Sequence, residues 1–410
     1  MVEGAQHYGG LLLFMALVTL LAIPIRAGFG KLRLPAAIGF TMLGIVLSIA
    51  NARLDVLSDP VGEYIEFLAS LGIVALLFRV GLESDLDLLR RQLRKAALVW
   101  APNMIVPAAL AFALIYFWPG LGLIPALFVG AAASATSIGV AVSAWKDAGI
   151  LNTPEGALLL DVAELDDLSA VVLLSVLLAT APLIADANAD GAVRAAGVTA
   201  FAQVAMIAAF SAACYAFARF IEGKLSAAFA SLDPKLGPFL FAAGAVFAIA
   251  ALADLLGFSM AVGALFAGLA FSRDPLERGV AQPFELLLAI FGPFFFVSIG
   301  LSVQAEAILP SIFLGTMLFL VATVGKVLGA GVPAALAADA RTGLLMGASM
   351  VPRAEIYFVI MLHGLSLGHW AVPPFLYSAA VLASIATCLV GPLLVARAID
   401  ARAREGRGAP

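Results

Sequence analysis

"LLLDVAELDDLSAVVLLSVLL", residues 158–178, sets Asp161, Glu164, Asp166 and Asp167 in a run otherwise made almost wholly of Leu, Val and Ala. An Asp or Lys at the centre of a membrane helix costs about 2.5–3.5 kcal/mol even on the lenient insertion scale, and acids kept there mark ion or proton pathways. Asp166 and Asp167 point about 100° apart on a helix of 3.6 residues per turn, so they meet different partners. Asp161, Glu164 and Asp167 or Leu168 share one face by the three-and-four spacing. Taken alone, Asp161 and Glu164 read equally well as a structural ion-pair patch inside a helix bundle. The adjacent pair reads as functional.

The rest of the chain places this stretch in lipid. Of 410 residues, 63% are hydrophobic and 12% charged, whereas a soluble domain carries about 25% charged residues. The composition is that of an integral membrane protein. A net charge of −4 without a basic arm or patch points away from nucleic acid as a partner. Cys214 and Cys388 lie singly in apolar runs, which makes neither a disulfide framework nor a metal site. The opening "MVEGAQHYGG" has Glu3 and no Lys or Arg, so the basic start of a cleavable signal is missing and the first apolar run is expected to stay.

With a window of about 19 residues, apolar segments fall near 9–27, 36–50, 64–82, 96–118, 121–145, 156–181, 195–220, 236–256, 258–272, 284–303, 311–337, 341–365 and 374–399. About thirteen transmembrane helices are expected, with 36–50 and 258–272 the short ones. If the connections after odd-numbered spans share a side with the C-terminal tail, that side holds eighteen basic residues and the other only Arg53 and Arg194. The positive-inside rule then puts the loop "RRQLRK" and the tail "RAIDARAREGRGAP" in the cytoplasm and the N-terminus outside. The longest connection, "PLIADANADGAVR" (182–194), is a turn region. One membrane domain over 1–400 and a short tail over 401–410 are expected. In "NTPEG", Asn152 or Thr153 is placed to cap the span carrying the acids, with Pro154 in its first turn.

Arg79, Lys326 and Arg353 are the three basic residues not counted to a connection, and they fall within spans. Lys326, in "LVATVGKVLGAGVPAA", lacks the glycine five residues earlier and the following Ser or Thr of a phosphate-binding loop. With at least ten apolar residues on each side, it needs a carboxylate partner or must lose its proton. Two stretches read as interrupted helices. "ASATSIGVAVS" (133–143) sets Ser134, Thr136, Ser137 and Gly139 in mid-span, and "ASMVPRAEIYF" (348–358) sets Pro352, Arg353 and Glu355 in another. Pro352 removes a backbone donor and clashes with the preceding turn, so the helix breaks or kinks there; Arg353 and Glu355 pairing with each other is the simpler structural reading. Broken backbone at membrane depth lines a cavity or faces protein, and paired interruptions in the two halves of a chain point to a transporter's site. His7, His363 and His369 lie at or near span ends and read as solvated loop residues.

These motifs carry a resemblance. "LPAAIGFTMLGIVLS", "LGIVALLFRVGLESDLDLLRR", "FSMAVGALFAGLAFS" and "FGPFFFVSIGLSV", with "ATSIGVAV", "DD", "GKVLGAG" and "MVPRAE" in order, resemble the monovalent cation:proton antiporter superfamily, in the branch of bacterial sodium/proton antiporters and potassium efflux systems. The resemblance covers nearly the whole chain. It implies an all-α inverted repeat of thirteen helices with two crossed, broken helices in a six-helix core. That core would take about 96–181 and 311–399, and a dimerisation scaffold about 9–82 and 195–303. It implies a homodimer in the inner membrane, no cofactor, and monovalent cations and protons as the species carried. By resemblance, Asp167 is the cation- and proton-binding carboxylate. Asp166 and Lys326 are the acid and base that pair when no cation is bound. Thr136 and Ser137 lie in the first crossing segment, and Arg353 and Glu355 in the second are charges that steady the breaks. Adjacent acids are typical of relatives that move sodium and net charge, whereas potassium efflux relatives usually carry an amide before the second acid. Ala354 in place of the usual glycine, Arg79 in the third span, and the acids Asp161 and Glu164 depart from the pattern and bear on ion selectivity.

The physics leads to the same exchange. A carboxylate in a water-reached cavity is driven toward protonation by burial and toward ionisation by Lys326 or a bound cation, so cation and proton compete for Asp167 and Asp166. Loaded and protonated forms carry less uncompensated charge and cross the midplane, while the bare dianion does not. A potassium/proton antiporter of the same family and a sodium-coupled organic-anion symporter of similar architecture are the alternatives. An intramembrane aspartyl protease needs aspartates on different helices with a Gly-x-Gly-Asp signature, which the chain lacks; a transporter and not an enzyme is expected.

Overall fold

The computed structural model describes residues 2–54, 59–83, 86–137, 141–142, 144–145, 148–151, 153–186, 189–272 and 277–406. Gly139 and Asn152 lie outside the described residues, as do the side chains of His7, of the "RRQLRK" loop and of the 401–410 tail. All regular elements among the described residues are helical: α1 (Val2–Lys31), α2 (Ala36–Leu54), α3 (Asp59–Glu83), α4 (Leu86–Tyr116), α5 (Leu123–Ser134), α6 (Pro154–Ala185), α7 (Ala189–Phe217), α8 (Gly223–Leu232), α9 (Gly237–Leu255), α10 (Met260–Phe271), α11 (Glu277–Leu301), α12 (Ile308–Ala337), α13 (Ala340–Ser349), α14 (Glu355–Ser366) and α15 (Pro374–Gly406). A π-helical turn, Ala218–Glu222, joins α7 to α8, and a 3₁₀ turn, Ala305–Ala307, leads into α12.

The all-α membrane architecture follows from the hydropathy. Among the described residues ten helices are long and apolar enough to cross a bilayer, and Ala36–Leu54 is one of them. Three shorter apolar helices, Leu123–Ser134, Met260–Phe271 and Glu355–Ser366, have twelve residues each. At about 1.5 Å per residue none of these covers the roughly 30 Å of hydrocarbon. Two of the three are the halves next to the expected interruptions. The 121–145 segment loses its helix after Ser134, and the 341–365 segment divides into α13 and α14 around residues 350–354. Thr153 caps α6, its Oγ1 accepting from Gly156 N at 3.3 Å.

The chain forms two compact units. The first comprises residues 1–25, 40–86 and 178–302. In lipid the hydrophobic effect does not drive helices together, so close backbone approach at small residues does. A methyl group at Gly268 of α10 would lie 2.2 Å from the carbonyl oxygen of Phe78, and one at Gly81 of α3 would lie 2.2 Å from that of Leu265. The two helices therefore touch backbone to backbone, and Phe78 packs against Phe284 of α11 at 4.2 Å between ring centroids. Arg79 lies one turn from the end of α3, bonded to Glu83 at 2.7 Å and 3.9 Å from Glu285, with two-fifths of its side chain exposed. It is a partly solvated ion pair.

The second unit comprises residues 26–39, 87–177 and 303–410 and contains both interruptions, the paired acids and Lys326. Its buried apolar cluster joins Val99 of α4, Trp145, Leu159 of α6, Ala330 of α12, Met346 of α13 and Val395 of α15. A methyl group at Gly325 would lie 2.6 Å from Pro107 Cα, and one at Gly329 would lie 2.6 Å from Pro102 O. The glycine face of α12 thus lies directly against the proline-bearing stretch of α4, which brings Asn103 and Lys326 to one site.

Candidate functional site

The frame of the site is a pair of helix ends. α5 stops at Ser134, and its last carbonyls have no partner further along the helix. Buried cations supply it: Lys326 Nζ donates to Ser134 O at 2.6 Å, and Arg353 Nη1 donates to Ala133 O. Positive charge is also what the negative end of the helix dipole favours. Arg353 Nη2 reaches Ala322 O of α12 at 3.1 Å. Arg353's own carbonyl accepts from Ser384 Oγ at 2.6 Å and Cys388 Sγ at 3.0 Å, both on α15. The two interruptions meet directly, Ser137 N donating to Pro352 O at 2.8 Å. Both terminal nitrogens of Arg353 therefore donate to carbonyls, and among the described residues it makes no ion pair with Glu355. Glu355 is the first residue of α14, where the helix dipole favours an acid.

Asp166 and Lys326 are both fully buried and pair at 2.9 Å. The same carboxylate oxygen, Oδ2, accepts from Thr136 Oγ1 and from Asn103 Nδ2, each at 2.6 Å. Three segments, α4, the extended stretch after α5 and α12, thus converge on one oxygen of α6. A buried pair is tolerated only when further hydrogen bonds satisfy it, and Thr136 and Asn103 provide them. Thr136 and Ser137 are themselves buried, at 7% and 5% exposure.

Asp167 is placed differently. It is half-buried, and no hydrogen bond to its carboxylate is found among the described residues. The charges that act on it are those of Asp166, Glu355, Lys326 and Glu164, three acids and one base. Glu164 is half-buried and Asp161 buried on the preceding turns of α6.

Two contacts were not anticipated from the sequence. Asn103, in "WAPNMIVP", is an uncharged amide that a search for intramembrane charges passes over; its position between two prolines was the available signal. Trp145 is fully buried and donates from Nε1 to Ser349 Oγ at 2.9 Å, while Ser349 donates to Leu345 O at 2.7 Å. That bond ties the chain beyond the first interruption to the last turn of α13. A separation of 204 residues leaves no local trace of it.

The family model for transmembrane sodium/hydrogen exchangers matches residues 16–399. The chain belongs to the sodium/hydrogen exchanger family. Within this family it is 28% identical over 366 residues to the probable Na⁺/H⁺ antiporter GerT of Bacillus cereus, covering 87% of this chain and 92% of that one. It is 27% identical over 403 residues to a Na⁺/H⁺ antiporter of Enterococcus hirae, covering 95% and 97%. A further relative is the Na⁺/H⁺-K⁺ antiporter GerN of Bacillus cereus, 28% identical and covering 88% and 89%. The fold of this exchanger resembles that of the sodium proton antiporter NhaP1 of Methanocaldococcus jannaschii at pH 8, with a TM-score of 0.69 at 15% identity over 95% of this chain and 97% of that one. It is a multi-pass membrane protein of a transporter family.

Proposed function

We propose that this exchanger moves a monovalent cation, sodium in the first instance, against protons by competition at Asp167 and Asp166. The observation that carries the reading is the fully buried Asp166–Lys326 pair at 2.9 Å next to a half-buried Asp167 on which Asp166, Glu355 and Glu164 also act. In the cation-free state Lys326 neutralises Asp166. A cation entering at Asp167 offers Asp166 a second positive partner, and Lys326 is released. Proton binding at Asp167 and restoration of the Lys326 pair reverse the step. Both states carry less uncompensated charge than the bare pair of aspartates, so both cross the midplane while the bare dianion does not. Opposite flows are coupled by that rule alone.

If Lys326 gives up its proton when it leaves Asp166, two protons exchange for one cation and turnover moves charge; if it keeps the proton, turnover is electroneutral. In this reading the unit of residues 26–39, 87–177 and 303–410 carries the site across, and the other unit is the scaffold and homodimer interface. The N-terminus lies outside and the basic loops and tail are in the cytoplasm, in an inner membrane, with no cofactor. Potassium is the second cargo to test, because the relative GerN is named for it. Asp167→Asn in proteoliposomes should abolish cation-dependent proton flux. Flux at the unsubstituted rate would end the assignment.

A further inference from the structure

Asp166 presents its two carboxylate oxygens to unequal surroundings. Oδ2 accepts from Asn103 Nδ2, Thr136 Oγ1 and Lys326 Nζ. Oδ1 is buried and faces no protein donor among the described residues. Asn103 repeats the asymmetry, for its Nδ2 is engaged while its Oδ1, on the same planar amide, is buried without a donor. The amide cannot be turned over, because that would set a carbonyl oxygen 2.6 Å from an anionic one. Two adjoining groups therefore hold one bare acceptor oxygen each, in a residue pair with no exposed surface. Acceptors do not satisfy each other. A hard alkali cation, which prefers carboxylate and carbonyl oxygen, is a partner that either oxygen can take.

Resting on the reading of the preceding section, we propose that Asn103 is a neutral oxygen ligand of the transported alkali cation. When the cation arrives it takes Asp166 Oδ1 and Asn103 Oδ1, and Lys326 withdraws from Oδ2. Asn103 Nδ2 stays on Oδ2 throughout, so the amide holds the carboxylate in one orientation while its charged partner changes. A neutral ligand adds affinity and discrimination among cations without adding a proton-binding group. Its loss therefore weakens cation binding and leaves the ratio of protons to cations as it was. A structural role in packing α4 would not separate those two quantities.

The test is Asn103→Leu, which has a similar volume and no polar atom, in proteoliposomes and in detergent. The KM for sodium should rise about tenfold, equivalent to about 1.4 kcal/mol, with the charge moved per cation unchanged. The rise in Tm that sodium produces over choline should shrink in parallel, with the Tm in choline as reference. If Asn103→Leu does not accumulate, Asn103→Thr and Asn103→Val differ by a single oxygen, and the valine variant should show the higher KM. An unchanged KM and sodium-induced Tm rise in the leucine variant, or indistinguishable threonine and valine variants, overturns the proposal and leaves a trapped water as the partner of the two oxygens. Asp167→Asn run alongside separates the cases: flux retained there removes the parent reading, and flux lost there with a normal KM in the leucine variant removes only this one.

Discussion

Removing the Lys326 amine breaks a pair with no solvent access on either side. Deleting one member of a buried ion pair costs about 3–5 kcal/mol, because the other charge is left behind in a low-dielectric interior. Thr136 and Asn103 still hold Asp166 at 2.6 Å each, which places Lys326→Met near the lower end, about 3 kcal/mol. The carbonyl of Ser134, 2.6 Å from the same amine, adds about 1 kcal/mol for its lost donor. Asp166→Asn strands the cation instead and falls in the same range. The double variant leaves neither charge of the pair, and a neutral replacement for a buried pair is often harmless. The cycle should therefore be strongly non-additive, with the double variant recovering at least about 2 kcal/mol relative to the sum of the singles, toward the upper part of the usual range for contacting residues. Unfolding of the four purified proteins in mixed micelles, read as Tm and as denaturant midpoints, measures the coupling. Singles that add to within about 0.5 kcal/mol would refute a direct, buried Asp166–Lys326 bond.

Further outcomes follow from other contacts. Asp339 caps α13, accepting from Arg341 N and Thr342 N at 2.9 Å each, so Asp339→Ala should cost about 1 kcal/mol of stability, read as a lower Tm. Gly268→Val should lower folded yield and Tm sharply, since its first carbon would lie 2.2 Å from Phe78 O, whereas Gly244→Ala, with nothing within 4 Å, should not. In the connection between α8 and α9, the backbone N–H groups of Leu236 and Lys235 hold the Asp233 carboxyl below its ordinary range. A depressed folded value gives a contribution that is present above the unfolded pKa and lost as the pH falls through the folded one. The Tm deficit of Asp233→Ala at neutral pH should thus disappear on acidification.

The spans were legible because each is a long apolar run, and the interruption at Pro352 was legible because proline cannot donate within a helix. That Lys326 needs a carboxylate was legible for an energetic reason, since a charged amine is not buried alone; that the carboxylate is Asp166 came only from the resemblance. What stayed hidden was neutral or distant. Arg353 could be expected to find the acid two residues on; instead Nη1 goes to a carbonyl at the end of α5 and Nη2 to one within α12, which no side-chain pattern encodes. Asn103 carries no charge and so drew no attention. The backbone contacts at Gly81 and Gly268 depend on which helices are neighbours, and spacing along one chain does not carry that. The partial exposure of Asp167 beside a sealed Asp166 depends on what covers each flank of α6, and a 100° difference in direction could only say that the two surroundings differ.

The bond from Ser137 N to Pro352 O belongs to no side chain. Alanine scanning would pass over both positions and report little, although each interruption is anchored to the other there. Drift in the identity of residue 137 would leave the joint intact as well, with proline as the exception because it lacks the N–H. The joint between the two interruptions is thus written in peptide groups, where neither mutational surveys nor comparison of side chains would find it.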